Sequence, residues 1–125
     1  MTASRRRAST ATKMFYILIE ARPGREDAVV RMLRDILACV EGEPATGPWY
    51  AVRHSARTFA IFEAFPDIAG RNAHVAGGGG DILRDVERMN DLLAQPAQVR
   101  KVDVLFAKQV FAQDRLAQPV PLPSL

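Results

Sequence analysis

Of the two histidines in this 125-residue chain, His74 is the one placed to do chemistry. It shares an amphipathic stretch with Ile68, Ala69 and Ala73, and it follows Gly70 and Arg71 by one helical turn. Gly70 therefore leaves space beside the imidazole. A histidine with an ordinary pKa of about 6.5 can take a proton from an acidic phenol or enol near neutrality, or hold such a ligand. The alternative is a core histidine satisfied by its neighbours. Asn72 is on the same helix but diverges from His74 by about 200° around the axis. Tyr16, Trp49, Phe59, Phe62 and Phe65 concentrate aromatic surface on strand-like segments. Such rings are either core or the walls that a flat polycyclic or quinone-like substrate needs, with a few polar groups among them. Glu63 stands in an otherwise apolar run, where an ionised carboxylate is expensive to bury without a partner. The expected partner is Arg53 on the adjacent strand or an arginine of a second subunit, in a structural rather than catalytic role.

Other chemistries are excluded. Cys39 is the single cysteine, so no internal disulfide and no cysteine-based zinc site can form. Two histidines make a poor metal centre, and no metal or cofactor is expected. Gly77–Gly80 does not belong to a phosphate-binding motif: no Lys-Ser/Thr follows it, no predicted strand precedes it, and Asp81 puts negative charge where an anion would sit. It reads instead as a hinge, or as a gate that admits a bulky ligand. The net charge of +3 is misleading. Arg5, Arg6, Arg7 and Lys13 precede the first apolar run, whereas residues 14–110 hold 12 Lys+Arg against 13 Asp+Glu. The globular part is nearly neutral and lacks the clustered cations that nucleic acid requires. No stretch approaches the roughly 20 apolar residues of a membrane span. The N-terminus lacks a secretory apolar core, and its acid-free Arg/Ser/Thr/Ala composition leaves a transit peptide open beside an unstructured leader. The cytoplasm is the default location.

The elements that must position these residues follow from periodicity. Residues 1–13 read as a disordered leader, residues 14–110 as one domain, and residues 111–125 as a Pro-rich tail. Met14–Ala21 is a strand apolar on both faces apart from Glu20. After the Arg22-Pro23-Gly24 turn, Ala28, Val29, Met32, Leu33, Ile36, Leu37 and Val40 form one helical stripe that ends near Glu41-Gly42. Trp49–His54 and Thr58–Phe65 are strands, the second with Phe59, Ile61, Glu63 and Phe65 on one face. Asp67 reads as the N-cap or a first-turn acid of the next helix. Four glycines, each worth roughly 1 kcal/mol against helix, interrupt it. Asp81 then caps a new segment carrying Ile82, Val86, Met89 and Leu93. Val99–Phe106 is the last strand.

Strand, helix, strand, strand, helix, strand is the ferredoxin-like α+β arrangement, in which two helices cover one face of a four-stranded antiparallel sheet. Met14, Tyr16 and Leu18 point to one side of the first strand and Phe15, Ile17 and Ile19 to the other. One helical layer cannot cover two apolar faces, so a second copy of the sheet is expected and the protein reads as a homodimer.

The segments TFAIFEAFPDIAGRNAHVAG (Thr58–Gly77), LLAQPAQVRKVDVLFAK (Leu92–Lys108) and YILIEARPGRED (Tyr16–Asp27) resemble the antibiotic biosynthesis monooxygenase family, and within it the small quinol-monooxygenase-like proteins. The likeness spans residues 14–108. It implies a dimeric α/β barrel of two ferredoxin-like sheets. It also implies cofactor-independent oxidation of a hydroxylated aromatic or quinol by dioxygen, with His74 as base or hydrogen-bond partner and Tyr16 and Trp49 as pocket walls. Phe59, Phe62 and Asn72 complete the expected substrate-binding set. The alternatives are a non-catalytic binder or sensor of small aromatics on the same fold, and an isomerase or lyase. Haem-degrading members pair the helix histidine with an asparagine on the first strand. MFYILIEA has none, so haem degradation is not expected. The four glycines also depart from the family's ordinary helix at this point.

Overall fold

The computed structural model describes residues 11–44 and 46–108. Residues 1–10 of the expected leader and the Pro-rich tail lie outside the described residues. The elements are β1 (Lys13–Glu20), α1 (Glu26–Val40), β2 (Trp49–Arg53), β3 (Thr58–Phe65), α2 (Ile68–Val75), α3 (Gly78–Arg84), α4 (Val86–Leu92) and β4 (Gln98–Asp103). The four strands form one antiparallel sheet in the order β2-β3-β1-β4. This is the ferredoxin-like α+β fold, with its second helical region broken into three pieces.

Side-chain alternation along β1 decides the layering. Phe15, Ile17 and Ile19 are buried beneath the helices, whereas Met14, Tyr16 and Leu18 are only half-buried on the opposite face. The stripe of α1 packs onto the inner face through Val29, Met32, Leu33, Ile36 and Val40. Ala28 and Leu37 lie at the flanks of that stripe, and Leu37 is exposed. The turn before α1 uses Gly24 at φ 83, a left-handed conformation that favours glycine. Glu26 and Asp27 occupy the first turn of α1, where the helix dipole favours negative charge.

Three features differ from the sequence reading. The glycines do not stay out of the helix: Gly77 is an extended N-cap, Gly78–Gly80 make the first turn of α3, and Asp81 pairs with Arg84 inside that turn rather than capping it. Close packing offsets the poor helix propensity. A Cβ on Gly78 would come within 3.0 Å of Cys39 Sγ, and one on Gly79 within 3.4 Å of Ile36 Cγ2. The absent side chains thus let α3 lie close against α1. A second break falls at Asp85, whose extended backbone ends α3 and whose side chain accepts from the Arg88 amide at 3.1 Å to start α4. The last strand ends at Asp103, three residues short of Phe106, because its neighbour β1 begins at Lys13. The Val104 amide makes one further bond to the Thr12 carbonyl, and Phe106 is 94% exposed.

The outer face of the sheet has no cover from the described residues. Tyr16 and Phe62 stack there with ring centroids 4.8 Å apart and planes 8° from parallel. Tyr50, Val52 and Val102 extend the same face and are exposed. Among the described residues no helix is long and apolar enough to cross a membrane.

Candidate active site

The polar centre of the molecule begins with a carboxylate on the buried side of β3. Glu63 alternates with Phe59, Ile61 and Phe65 toward the helices and is only 1% exposed. Directly after β3, Asp67 caps α2 by accepting from the Gly70 amide at 2.8 Å, which fixes where the helix starts. His74 then falls on the inward face of α2, 6% exposed, with its ring 5.2 Å from Phe65 and 6.3 Å from Phe15. The loop after α1 supplies a second carboxylate, Glu43. That loop is held to β3 by bonds from the Gly47 amide to the Ala64 carbonyl and from the Ala64 amide to the Pro48 carbonyl.

These side chains form a continuous chain. Thr46 Oγ1 donates to Glu43 Oε1 at 2.8 Å, and the same oxygen lies 2.7 Å from His74 Nδ1. On the other side of the ring, Nε2 lies 3.0 Å from Glu63 Oε2. Trp49 Nε1 donates to Glu63 Oε1 at 2.8 Å. The ion pair at Nε2 is close but not aligned as a hydrogen bond, so Oε2 has no hydrogen-bond partner among the described residues. Gly77 belongs to the arrangement as well: a Cβ there would come within 2.5 Å of Glu43 Oε2.

Burial pushes the His74 pKa down, but contact with Glu63 and Glu43 and their negative charge push it up, and the upward contributions win. The ring is therefore more readily protonated than an ordinary histidine. It is also engaged on both nitrogens. Among the described residues no group of three or more His, Cys, Asp or Glu side chains is arranged to hold a metal ion.

His74 and Glu63 close one end of a cavity of about 820 Å³ between the sheet and α2–α4. Ile17, Leu83, Met89, Leu93 and Val99 make its apolar walls, with Phe15 beside the imidazole. That volume is within the range of small-molecule sites.

The expected site residues separate in this geometry. His74 is in the cavity. Tyr16 and Phe62 are on the outer face of the sheet, because strand alternation sends them away from Phe15 and Glu63. Phe59 is core, beneath the Arg53 guanidinium at 4.8 Å, and shares a shallow groove with Trp49 on the far side of the inner face. Trp49 reaches the cavity only through its bond to Glu63. Asn72 is exposed on α2 beside Arg71 and Lys101. The expected partner of Glu63 is corrected: β2–β3 register sets Trp49 opposite Glu63 and Arg53 opposite Phe59, so Glu63 pairs with His74 and Trp49 instead. Glu43 had no signal in the sequence, since it lies in an irregular loop. Glu63 did have one, because a carboxylate on a buried strand face requires a buried partner.

No protein-family model and no curated protein matches the chain. Among solved structures, the protein NE2512 of unknown function from Nitrosomonas europaea is 32% identical, with a TM-score of 0.74, covering 82% of this chain and 98% of that one. The chain belongs to the family of that protein. PA3566 from Pseudomonas aeruginosa is 22% identical over 79% of this chain and 99% of its own, with a TM-score of 0.65. An antibiotic biosynthesis monooxygenase matches with a TM-score of 0.62 at 21% identity, over 74% of this chain and 98% of its own. The resemblance read from the segments around His74 thus extends to the fold, which is that of the antibiotic biosynthesis monooxygenases.

The raised pKa of His74 has a consequence for stability. Because the folded value exceeds the unfolded value of about 6.5, the contribution of the imidazolium is fully present below pH ~6.5 and is lost as pH rises through the folded value. The urea midpoint is expected to fall as pH is raised above about 6.5. In Glu43→Gln, which removes one of the two carboxylates, the fall should be smaller and begin at lower pH. Equal pH profiles for the two proteins would contradict this assignment.

Proposed function

We propose that the protein is a monooxygenase that binds a flat hydroxylated aromatic or quinol in the cavity and lets it react directly with dioxygen, without a bound cofactor. The observation that carries this reading is an apolar cavity ending on a buried carboxylate–imidazole–carboxylate chain. An electron-rich phenolate or enolate can pass an electron to oxygen itself, and the substrate also supplies the electrons that reduce the second oxygen atom to water. The protein's tasks are then to orient the ring, exchange its hydroxyl proton and exclude water. Leu83, Met89 and Val99 serve the first and last of these. The Glu43–His74–Glu63 chain serves the proton. The fold of the antibiotic biosynthesis monooxygenases supports the same reading.

Purified protein is expected to consume oxygen with a member of a hydroquinone and naphthoquinol panel, with neither flavin nor metal added. His74→Ala should reduce turnover by about 10²-fold or more, the usual worth of a positioned proton-transfer group. Saturable binding without oxygen uptake anywhere in the panel would replace this reading with a non-catalytic binder.

We also propose that the outer sheet face packs against a second copy of the chain. Tyr16, Tyr50, Val52, Phe62 and Val102 would otherwise leave a continuous apolar surface in water. Sedimentation at micromolar concentration should give twice the 13.8 kDa protomer mass. Phe62→Asp places a charge on a half-exposed position and should shift the protein to monomer. A wild-type monomer would contradict the proposal.

A further inference from the structure

The two carboxylates around His74 are not equally satisfied. Glu43 Oε1 receives Thr46 Oγ1 at 2.8 Å and lies 2.7 Å from His74 Nδ1. Glu63 is satisfied on one side only. Its Oε1 receives the Trp49 indole at 2.8 Å, whereas Oε2, buried with the rest of the side chain, has no hydrogen-bond partner among the described residues.

Which oxygen of Glu63 faces the cavity follows from its neighbours. Trp49 belongs to the groove on the far side of the inner face, and His74 belongs to the cavity lining together with Glu63. Oε1 is turned to Trp49 and Oε2 to His74, 3.0 Å from Nε2, so the unpartnered oxygen is the one on the cavity side. Two carboxylates against one ring call for a proton on each nitrogen, and the Nε2 proton is not aligned on Oε2. An acceptor and a donor therefore stand 3.0 Å apart at one end of an apolar cavity. A hydroxyl serves both from a single atom, donating to the carboxylate and accepting from the ring. A carbonyl oxygen only accepts. It can meet Nε2, but it leaves Oε2 bare and sets its own lone pairs against a buried negative charge.

We propose that Glu63 is the specificity-determining residue of the cavity, and that through Oε2 it selects the reduced, hydroxyl-bearing form of an aromatic ligand over the carbonyl form. The inference rests on the reading of the cavity as a site for hydroxylated aromatics and adds a preference between redox forms: the quinol is taken up and the quinone is let go. An oxidation that turns the seated hydroxyl into a carbonyl removes the group that satisfied Oε2, so the product loosens its own hold.

Binding under nitrogen separates this claim from oxygenation. The probes are durohydroquinone and duroquinone, whose fully methylated rings share one skeleton. The hydroquinone is expected to bind about tenfold or more tightly, as a hydrogen bond to a buried charged acceptor should give. In Glu63→Gln, the Trp49 donor holds the amide oxygen on its own side and leaves the NH2 toward the cavity. The preference should then vanish or reverse, in a protein whose fold is checked by its thermal midpoint. A second readout needs no substitution: with glutamate carboxyl groups labelled with carbon-13, the Glu63 signal should move further with the hydroquinone than with the quinone. Equal affinity for the two forms, no binding of either, a preference that survives Glu63→Gln, or a Glu63 signal that the hydroquinone leaves unmoved would overturn the assignment. The two readings fail separately. Hydroquinone preference with no oxygen uptake by any quinol sinks the oxygenase and leaves the selection, whereas oxygen uptake with equal affinity for the two forms sinks the selection alone.

Discussion

A carboxylate on the buried face of a central strand is the constraint around which the rest of the structure is arranged. Glu63 is almost wholly removed from water, and an unpaired ion in such a place would be strongly destabilising. Three elements converge to prevent that. Trp49 of β2 donates to one oxygen, His74 of α2 stands against the other, and the loop after α1 brings Glu43 to the far side of the same imidazole. The placement of α2 by the Asp67 cap, the tie between the Glu43 loop and β3, and the bare Cα of Gly77 all serve this one arrangement. The remainder of the inner layer is ordinary hydrophobic packing of α1 on the sheet.

The same arrangement gives the cavity its character. A site lined only by Ile17, Leu83, Met89 and Val99 would bind apolar rings with little orientation. In the proposed reaction the buried polar chain at one end supplies direction, because a ligand hydroxyl would find proton-exchanging groups there. Water is excluded from that end by the same burial that makes the carboxylate costly, so the stability problem and the chemical capability have one origin.

What could be read from the sequence follows physical range. The inward set of β1, the stripe of α1 and the limits of β3 were legible because side-chain period alone determines them. The uncovered outer face was legible for the same reason. Asp67 was a local signal for a helix start, and of its two readings, cap or first-turn acid, the structure has the cap. Gly77–Gly80 misled because helix propensity is local, whereas the contact of α3 with Cys39 and Ile36 that overrides it is tertiary. Asp85 was missed because it lies within a run that is otherwise compatible with helix. At the site, His74 was visible as a candidate, but its partners depended on strand register and on a loop path. Tyr16 and Phe62 show the cost of choosing aromatics by type: alternation already set them on the face opposite Phe15.

The most direct test of the central claim is the ionisation of the His74 ring, followed by nitrogen-15 and carbon-13 NMR of ring-labelled protein between pH 5 and 9. An imidazole clamped between two carboxylates is predicted to titrate above the ordinary histidine value of about 6.5. A ring that is neutral at pH 6.5, or that titrates below it, would show that Glu43 and Glu63 do not hold it, and the account of the buried centre would be wrong.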